Sequence, residues 1–217
     1  MKPAHRGKSI LTVMPLRVHD SELVQIVDAA LADATRRSGD WLACRIGCTQ
    51  CCHGAFAINA LDTERLRVGM ETLRKDDPAL AGELERRARA WIDEHGDDFP
   101  GDLTTGVLGA SPVDQERFEH FASDAACPAL DPSTGRCDVY ASRPMTCRVF
   151  GPPVRVGEGD EFGCCELCFV GANDEQIVAC EMLVPHELEM DLLDEMGNQG
   201  ETVVAFALLG RGPHSTR

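Results

Sequence analysis

The residues of this chain that could do chemistry are its cysteines. The 217-residue sequence contains 11 of them. Thiolates are the ligands preferred by zinc, copper(I) and iron–sulfur centres, and clustered cysteines in a reducing compartment are typical of metal sites. Because the count is odd, a fully paired disulfide framework is not expected. Ten of the cysteines form three groups along the chain: Cys44, Cys48, Cys51 and Cys52; Cys127, Cys137 and Cys147; and Cys164, Cys165 and Cys168.

The spacing within these groups predicts metal ligation. Cysteines two or three residues apart on a turning backbone can direct their sulfurs to one point, as a tetrahedral ion or an iron–sulfur cube requires. Adjacent side chains in an extended segment point to opposite sides, so the doublets Cys51-Cys52 and Cys164-Cys165 would each be divided between ligand sets. We therefore expect two metal centres, or one multinuclear centre. The alternative is one closed zinc site with the other cysteines buried as small apolar residues.

The middle group is organised by turns and accompanied by arginines. Residues 131–135 read Asp-Pro-Ser-Thr-Gly, a strong turn signal that would bring Cys127 and Cys137 together. Three arginines, Arg136, Arg143 and Arg148, follow in an otherwise acidic chain. They could stabilise thiolates or hold an anionic substrate. The alternative is ion pairing to acidic side chains at the surface, namely Asp124, Asp131 or Asp138.

Two further residues have less specific interpretations. Cys180 lies in an apolar segment between Val178 and Met182, which predicts a core residue rather than a ligand. His53 follows the first doublet directly and could be a ligand, although an exposed or backbone-bonded histidine is more common in such a position.

The combined cysteine pattern resembles a known family. In order, the chain contains Cys44-x3-Cys48-x2-Cys51-Cys52, Ile58-x2-Leu61-x2-Glu64, Cys127-Pro128-x-Leu130, Gly135-x-Cys137-x-Val139-Tyr140 and Arg143-Pro144-x2-Cys147-Arg148-x-Phe150. This string is similar to the YkgJ-like cysteine-cluster proteins over residues 44–150, and the likeness extends less securely to 168. The resemblance implies a domain that chelates zinc or iron, with Zn²⁺ or an iron–sulfur cluster as cofactor and the metal ion as partner.

Two enzyme alternatives share parts of this pattern. A similar cysteine box occurs in flagellin lysine-N-methylases, where it implies an iron–sulfur centre and methyl transfer from S-adenosylmethionine to a protein substrate; this chain is much shorter than those enzymes. The spacing Cys44-x3-Cys48-x2-Cys51 is also that of radical S-adenosylmethionine enzymes. That reading expects a barrel strand before the box, whereas a helix is predicted there.

The elements that must position the cysteines are mainly helical. Apolar periodicity and end signals predict five helices, over residues 20–38, 61–73, 78–92, 114–122 and 185–196. Asp20 or Ser21 would cap the first, and Asp62 or Thr63 the second. Charged residues on the third, Glu83 to Arg89, predict a solvated face. Residues 97–112 are expected to form a loop, and residues 202–209 suit a strand or a buried helix equally.

These elements define the expected architecture. We expect a mainly α fold, with helices packed around an irregular, metal-stabilised cysteine-rich lobe that has short extended segments, such as residues 137–140 and 149–150. One domain would span residues 1–217, with a cysteine-cluster region at 44–168 and a helical insertion over about 62–122.

Composition excludes several classes of partner. The formal net charge is −15, which opposes binding to nucleic acid or to an anionic membrane surface. No continuous apolar run approaches the ~18 residues of a membrane-spanning helix. The N-terminal residues lack the apolar stretch of a secretory signal, so we expect a cytoplasmic protein.

Overall fold

A computed structural model describes residues 16–156, 161–197 and 199–213. Helix accounts for 54% and strand for 8% of the structure, which confirms the mainly α class. The helices are α1 (Leu16–Ser38), α2 (Ala60–Asp76), α3 (Pro78–His95), α4 (Pro112–Glu119), α5 (Met145–Val149), α6 (Asp174–Ala179), α7 (His186–Met196) and α8 (Val204–Leu208). The strands are β1 (Gly101–Asp102), β2 (Val107–Leu108), β3 (Leu130–Asp131), β4 (Arg136–Cys137), β5 (Val154–Arg155) and β6 (Phe162–Gly163).

Local capping explains where several helices begin. The side chain of Asn59 accepts a hydrogen bond from the backbone N–H of Asp62 and caps α2, so the predicted cap at Asp62 or Thr63 is wrong. Asp77 caps α3 and places Pro78 in its first turn, where a missing N–H has no cost. Ser111 caps α4. The predicted start of α1 at Asp20 or Ser21 is also wrong, because the helix already includes Leu16.

Two apolar clusters hold the helices together. In one, α2 and α3 pack against α8 through buried side chains that include Leu66, Leu84 and Leu208. In the other, α1 contacts α5 and α7 through residues that include Leu23 and Leu192. Because both α2 and α1 also contact the segments around the middle cysteines, these clusters determine where the cysteine-rich lobe sits.

The cysteine-rich lobe consists of short, irregular elements, as expected. Three two-stranded antiparallel sheets form from the six short strands of the described residues, β1 with β2, β3 with β4 and β5 with β6. Residues 97–112, predicted as a loop, contain the β1–β2 hairpin. Val149 was expected to be extended, but it ends α5. Residues 202–209 were predicted to form either a strand or a buried helix. Thr202 pairs with Ile58 as an isolated β-bridge, and the residues that follow form α8. Among the described residues, no helix is both long and apolar enough to cross a membrane.

Candidate metal centre

The fold rearranges the ten clustered cysteines into two sets of five. We define the first thiol group as Cys44, Cys48, Cys164, Cys165 and Cys168, whose thiols interact electrostatically with one another. We define the second thiol group as Cys51, Cys52, Cys127, Cys137 and Cys147, which interact in the same way. The N-terminal box is therefore divided between the two groups, with Cys44 and Cys48 in one and Cys51 and Cys52 in the other.

Backbone contacts between distant segments assemble the first thiol group. The N–H of Phe169 donates to the carbonyl of Trp41 at 2.9 Å, and the two rings stack with their centroids 6.4 Å apart. Next to this contact, the backbone N–H of Ala43 donates to Cys168 Sγ at 3.4 Å. Cys165 and Cys168 are joined by a turn in which the N–H of Cys168 donates to the Cys165 carbonyl at 2.8 Å. These contacts bring the segment that follows α1 against residues 164–169.

The second thiol group is assembled by a different set of contacts. The N–H of Cys127 donates to the carbonyl of Cys52 at 2.7 Å. The β3–β4 hairpin pairs Leu130 with Cys137, so the turn predicted at 131–135 does return the chain beside Cys127. The short helix α5 carries Cys147 to the same place.

The first doublet does not point to opposite sides. Cys51 Sγ and Cys52 Sγ are 4.0 Å apart, so the prediction that these two side chains diverge is wrong. The reason is local: residues Gln50–Cys52 form a 3-10 helix rather than an extended segment, and successive side chains are then ~120° apart. Four sulfurs placed at about 2.3 Å from a tetrahedral zinc ion are roughly 3.8 Å from each other. The Cys51–Cys52 pair already lies close to that separation.

The second doublet differs from the first in exposure. Cys164 is exposed, whereas Cys165 is only 2% exposed. Both thiols interact electrostatically with Cys168. The two members therefore belong to one thiol group but face different surroundings.

Thiol protonation differs within the second group. A hydrogen bond with Cys52, together with the nearby Arg143 guanidinium, lowers the pKa of Cys51 to about 6. The same hydrogen bond raises the pKa of Cys52. Burial raises the pKa of Cys127 to about 12 and also raises that of Cys147. Cys51 is therefore the thiolate of this pair and accepts from the neutral Cys52 thiol, and binding a metal would release protons from the other thiols.

Three thiols of the first group have a raised pKa and are therefore protonated at neutral pH. Burial, followed by the proximity of Cys168, raises the pKa of Cys44 to about 12. Partial desolvation raises the pKa of the exposed Cys164, and burial raises that of Cys165. In the part of the chain that the structure describes, no three Cys, His, Asp or Glu side chains are already placed to hold a metal ion. The donor chemistry fits zinc or iron, and ligation requires the thiols of each group to rotate towards a common point.

Two of the three arginines that accompany the middle cysteines have structural partners. Arg148 is 2% exposed, and its Nη1 lies 2.8 Å from Asp28 Oδ1 of α1. Arg143 lies 3.6 Å from the same carboxylate and stacks on the ring of Tyr140. Ion pairing is therefore observed, but the expected partners are wrong, because the partner is a residue of α1 that lies far away in sequence. Arg136 is exposed.

Two of the expected acidic partners have other roles. Asp138 pairs with Arg87 of α3 at 2.5 Å, so one residue of the predicted solvated face anchors α3 to the β3–β4 hairpin. The carboxylate of Asp131 accepts hydrogen bonds from Ser133 and Thr134 within the turn.

A buried polar contact that the sequence analysis missed supports α5. Asp62, which is 1% exposed, accepts a hydrogen bond from the backbone N–H of Met145 at 2.7 Å and pairs with Arg65 at 2.5 Å. Arg65 also pairs with Asp20 of α1. These contacts fix the N-terminus of the helix that carries Cys147. The spacing of Asp62 and Arg65, three residues apart on one helix face, was the available signal.

The remaining candidates stay outside the two thiol groups. Cys180 is 5% exposed and packs in an apolar cluster with Cys165, Cys168 and Phe169. His53 is exposed, and its backbone pairs with Ala126.

Comparison with known proteins adds one finding. Residues 43–168 match the model of the CxxCxxCC domain, described as "Putative zinc- or iron-chelating domain". The matched span includes both thiol groups in full and ends at Cys168. No curated protein matches the chain, and no solved structure does so.

Proposed function

Because the chain belongs to the CxxCxxCC family of zinc- or iron-chelating domains, we propose that it binds metal at two centres, one in each thiol group. The observation that carries this proposal is that contacts between distant segments bring ten cysteines together in two sets of five. Such convergence is typical of metal ligation, since packing alone does not require cysteines from separate segments to gather.

Each thiol group contains enough cysteines to form a metal site with four thiolate ligands. Four thiolates complete a tetrahedral zinc ion, and four cysteines equally ligate an iron–sulfur cluster. Each group contains one thiol beyond that number. The second group has buried polar support from Asp62 and Arg148, whereas the first has exposed members in Cys44 and Cys164. We therefore expect the second centre to be the more stable one and the first to exchange metal more readily.

The test is elemental analysis of protein purified without oxygen, combined with two substitutions in each group, because each group has one thiol more than a four-thiolate site needs. Cys44→Ser with Cys48→Ser should remove metal from the first group, and Cys127→Ser with Cys147→Ser from the second, so each double variant should retain roughly half of the wild-type metal. Cys180→Ala is the matched control, because Cys180 is also a buried cysteine, and it should retain all of the metal. If both double variants keep full metal content, the ligand assignment is wrong.

The identity of the metal then distinguishes a structural or chelating role of the two centres from a role as iron–sulfur clusters. Stoichiometric zinc without colour favours structural or chelating sites, while several irons with acid-labile sulfide favour clusters. Methyl transfer from S-adenosylmethionine rests only on the resemblance of the cysteine box, and iron–sulfur content would make a methyl-transfer assay the next step. We place the protein in the cytoplasm, because a reducing compartment keeps ten clustered thiols available for metal.

A further inference from the structure

A groove lies apart from the two thiol groups. It has a volume of about 590 Å³ and is lined by α7, by residues 108–110 of the β1–β2 segment, by α4 and by residues 199–201. Ligand sites commonly have volumes of roughly 300–1,000 Å³. Part of the lining belongs to the family-matched region 43–168 and part to the segment beyond it. The groove is thus formed where the C-terminal segment packs onto the family domain.

The charge of this groove has one sign. Four carboxylates line it, those of Asp114, Glu189, Asp194 and Glu201. No lysine or arginine is among the described lining residues, and His186 is the one side chain there that can become positive.

Within the described ranges, these carboxylates have no cationic partner. Glu189 accepts a hydrogen bond from the amide of Asn59 at 3.0 Å, and Asp114 accepts one from a serine hydroxyl at 2.6 Å. Throughout the described ranges, none of the four forms an ion pair, and Asp194 and Glu201 accept no side-chain hydrogen bond. Their charges are therefore available to a positively charged ligand.

The surface between the carboxylates is apolar. Leu108, Phe118 and Leu193 line the groove and are half-buried. Met190 projects from α7 into the same lining with 57% of its surface exposed. A bare metal cation or a small polyamine would use the carboxylates but leave this apolar surface in contact with water. A ligand that complements both features must carry positive charge around an apolar group.

We propose that the groove binds a basic peptide segment of a partner protein, with one apolar side chain against Leu108, Phe118 and Met190 and flanking lysine or arginine side chains at the carboxylates. Charge complementarity selects this occupant: an acidic rim attracts cationic side chains, and the apolar floor supplies the short-range contact. The inference does not depend on which metal the thiol groups hold, or on whether they hold any.

The experiment measures peptide binding by fluorescence anisotropy, using the full-length, metal-loaded protein. The probe is a fluorescein-labelled pentapeptide with leucine at its centre and two lysines on each side. Asp194→Asn combined with Glu201→Gln should weaken binding by about fivefold or more. The matched control is Asp76→Asn combined with Glu94→Gln, which removes the same charge at exposed positions outside the groove. Its affinity should stay within twofold of wild type.

Two further ligands test whether the apolar surface of the groove contributes to binding. Both are used with the wild-type protein, so the result does not depend on whether a variant folds. Replacing the central leucine of the peptide with serine should weaken binding, and spermine should compete poorly. The proposal is overturned if the peptide does not bind at low ionic strength, or if the two double variants weaken binding equally. It is also overturned if the serine peptide or spermine binds as well as the leucine peptide, because the groove would then attract polycations in general.

Discussion

Replacing Arg148 with methionine isolates what one buried guanidinium contributes to the position of Cys147. Methionine keeps the apolar stem and most of the length but removes every hydrogen-bond donor. In the wild type, Arg148 Nη1 donates to Asp28, Nη2 to the carbonyl of Ala141 at 2.5 Å, and Nε to the carbonyl of Arg143 at 3.2 Å. One side chain therefore ties α1 to the turn that precedes α5.

The magnitude follows from what the substitution leaves behind. Removing one partner of a buried ion pair costs about 3–5 kcal/mol, because the other charge and the carbonyls lose their partners. Asp28 has 47% of its side chain exposed, so water can solvate it after the change, and we expect the lower end of that range, about 3 kcal/mol. For a chain of this size that is a decrease in Tm of roughly 6–12 °C.

The assay is thermal and urea unfolding of the metal-loaded protein, followed by metal analysis of the same sample. Arg136→Met is the control, since Arg136 is an exposed neighbour of Cys137, and it should change stability by no more than about 0.5 kcal/mol. Because Arg148 directly follows Cys147 on α5, Arg148→Met should also lower metal content at the second thiol group. If Arg148→Met and Arg136→Met give the same stability, Arg148 does not hold this part of the fold together.

Three further changes probe the lobe and its surroundings. Gly151→Ala would place a Cβ 2.8 Å from Cys44 Sγ, at a φ of +129°, so metal analysis should find less metal at the first thiol group. Gly106→Ala would place a Cβ 2.6 Å from the ring of Phe206, at a φ of +75°, and urea unfolding should give a loss of about 2 kcal/mol or more. Hydrogen bonds from Thr134 and Ser133 lower the pKa of Asp131 from 3.8 to about 2. Its ionised form therefore stabilises the fold above pH ~3.8, and the stability deficit of Asp131→Asn should shrink as the pH falls towards 2.

Each of these changes has a control. Gly82→Ala lies in α3 with no atom within 4 Å of the new Cβ, and it should stabilise the protein slightly, by ~0.5–1 kcal/mol. Thr134→Val removes one hydrogen bond to the Asp131 carboxylate but keeps its charge, so it should retain part of the pH dependence that Asp131→Asn removes. A loss of metal in Gly82→Ala equal to that in Gly151→Ala would contradict the steric explanation.

Local signals in the sequence were sufficient for the elements whose ends are set by neighbouring residues. Pro78 begins α3 and Gly96 directly follows its last residue, and Gly197 ends α7 in the left-handed conformation. The turn at residues 131–135 was predictable for the same reason, since its hydrogen bonds lie within five residues. The cysteine spacing, likewise, was enough to indicate metal ligation, and the resemblance of the combined motif indicated the chelating family.

The grouping of the thiols depended on contacts that no local pattern contains. The sequence suggested an N-terminal box of four cysteines, yet Cys48 lies with Cys165 while Cys52 lies with Cys127. This division results from backbone hydrogen bonds between segments more than 70 residues apart. The direction of Cys51 and Cys52 likewise depended on a 3-10 turn, which cysteine spacing alone cannot distinguish from an extended segment.

The partners of buried charges were decided by tertiary packing for a related reason. A buried arginine requires a carboxylate nearby, but any of the 36 acidic residues could supply it. The sequence therefore indicated which residues are candidate metal ligands and where the longer helices lie. Only the packing of α1 and α2 against the lobe decided that Asp28 pairs with Arg148 and that Asp62 holds the helix of Cys147, because those contacts form between elements far apart in the chain.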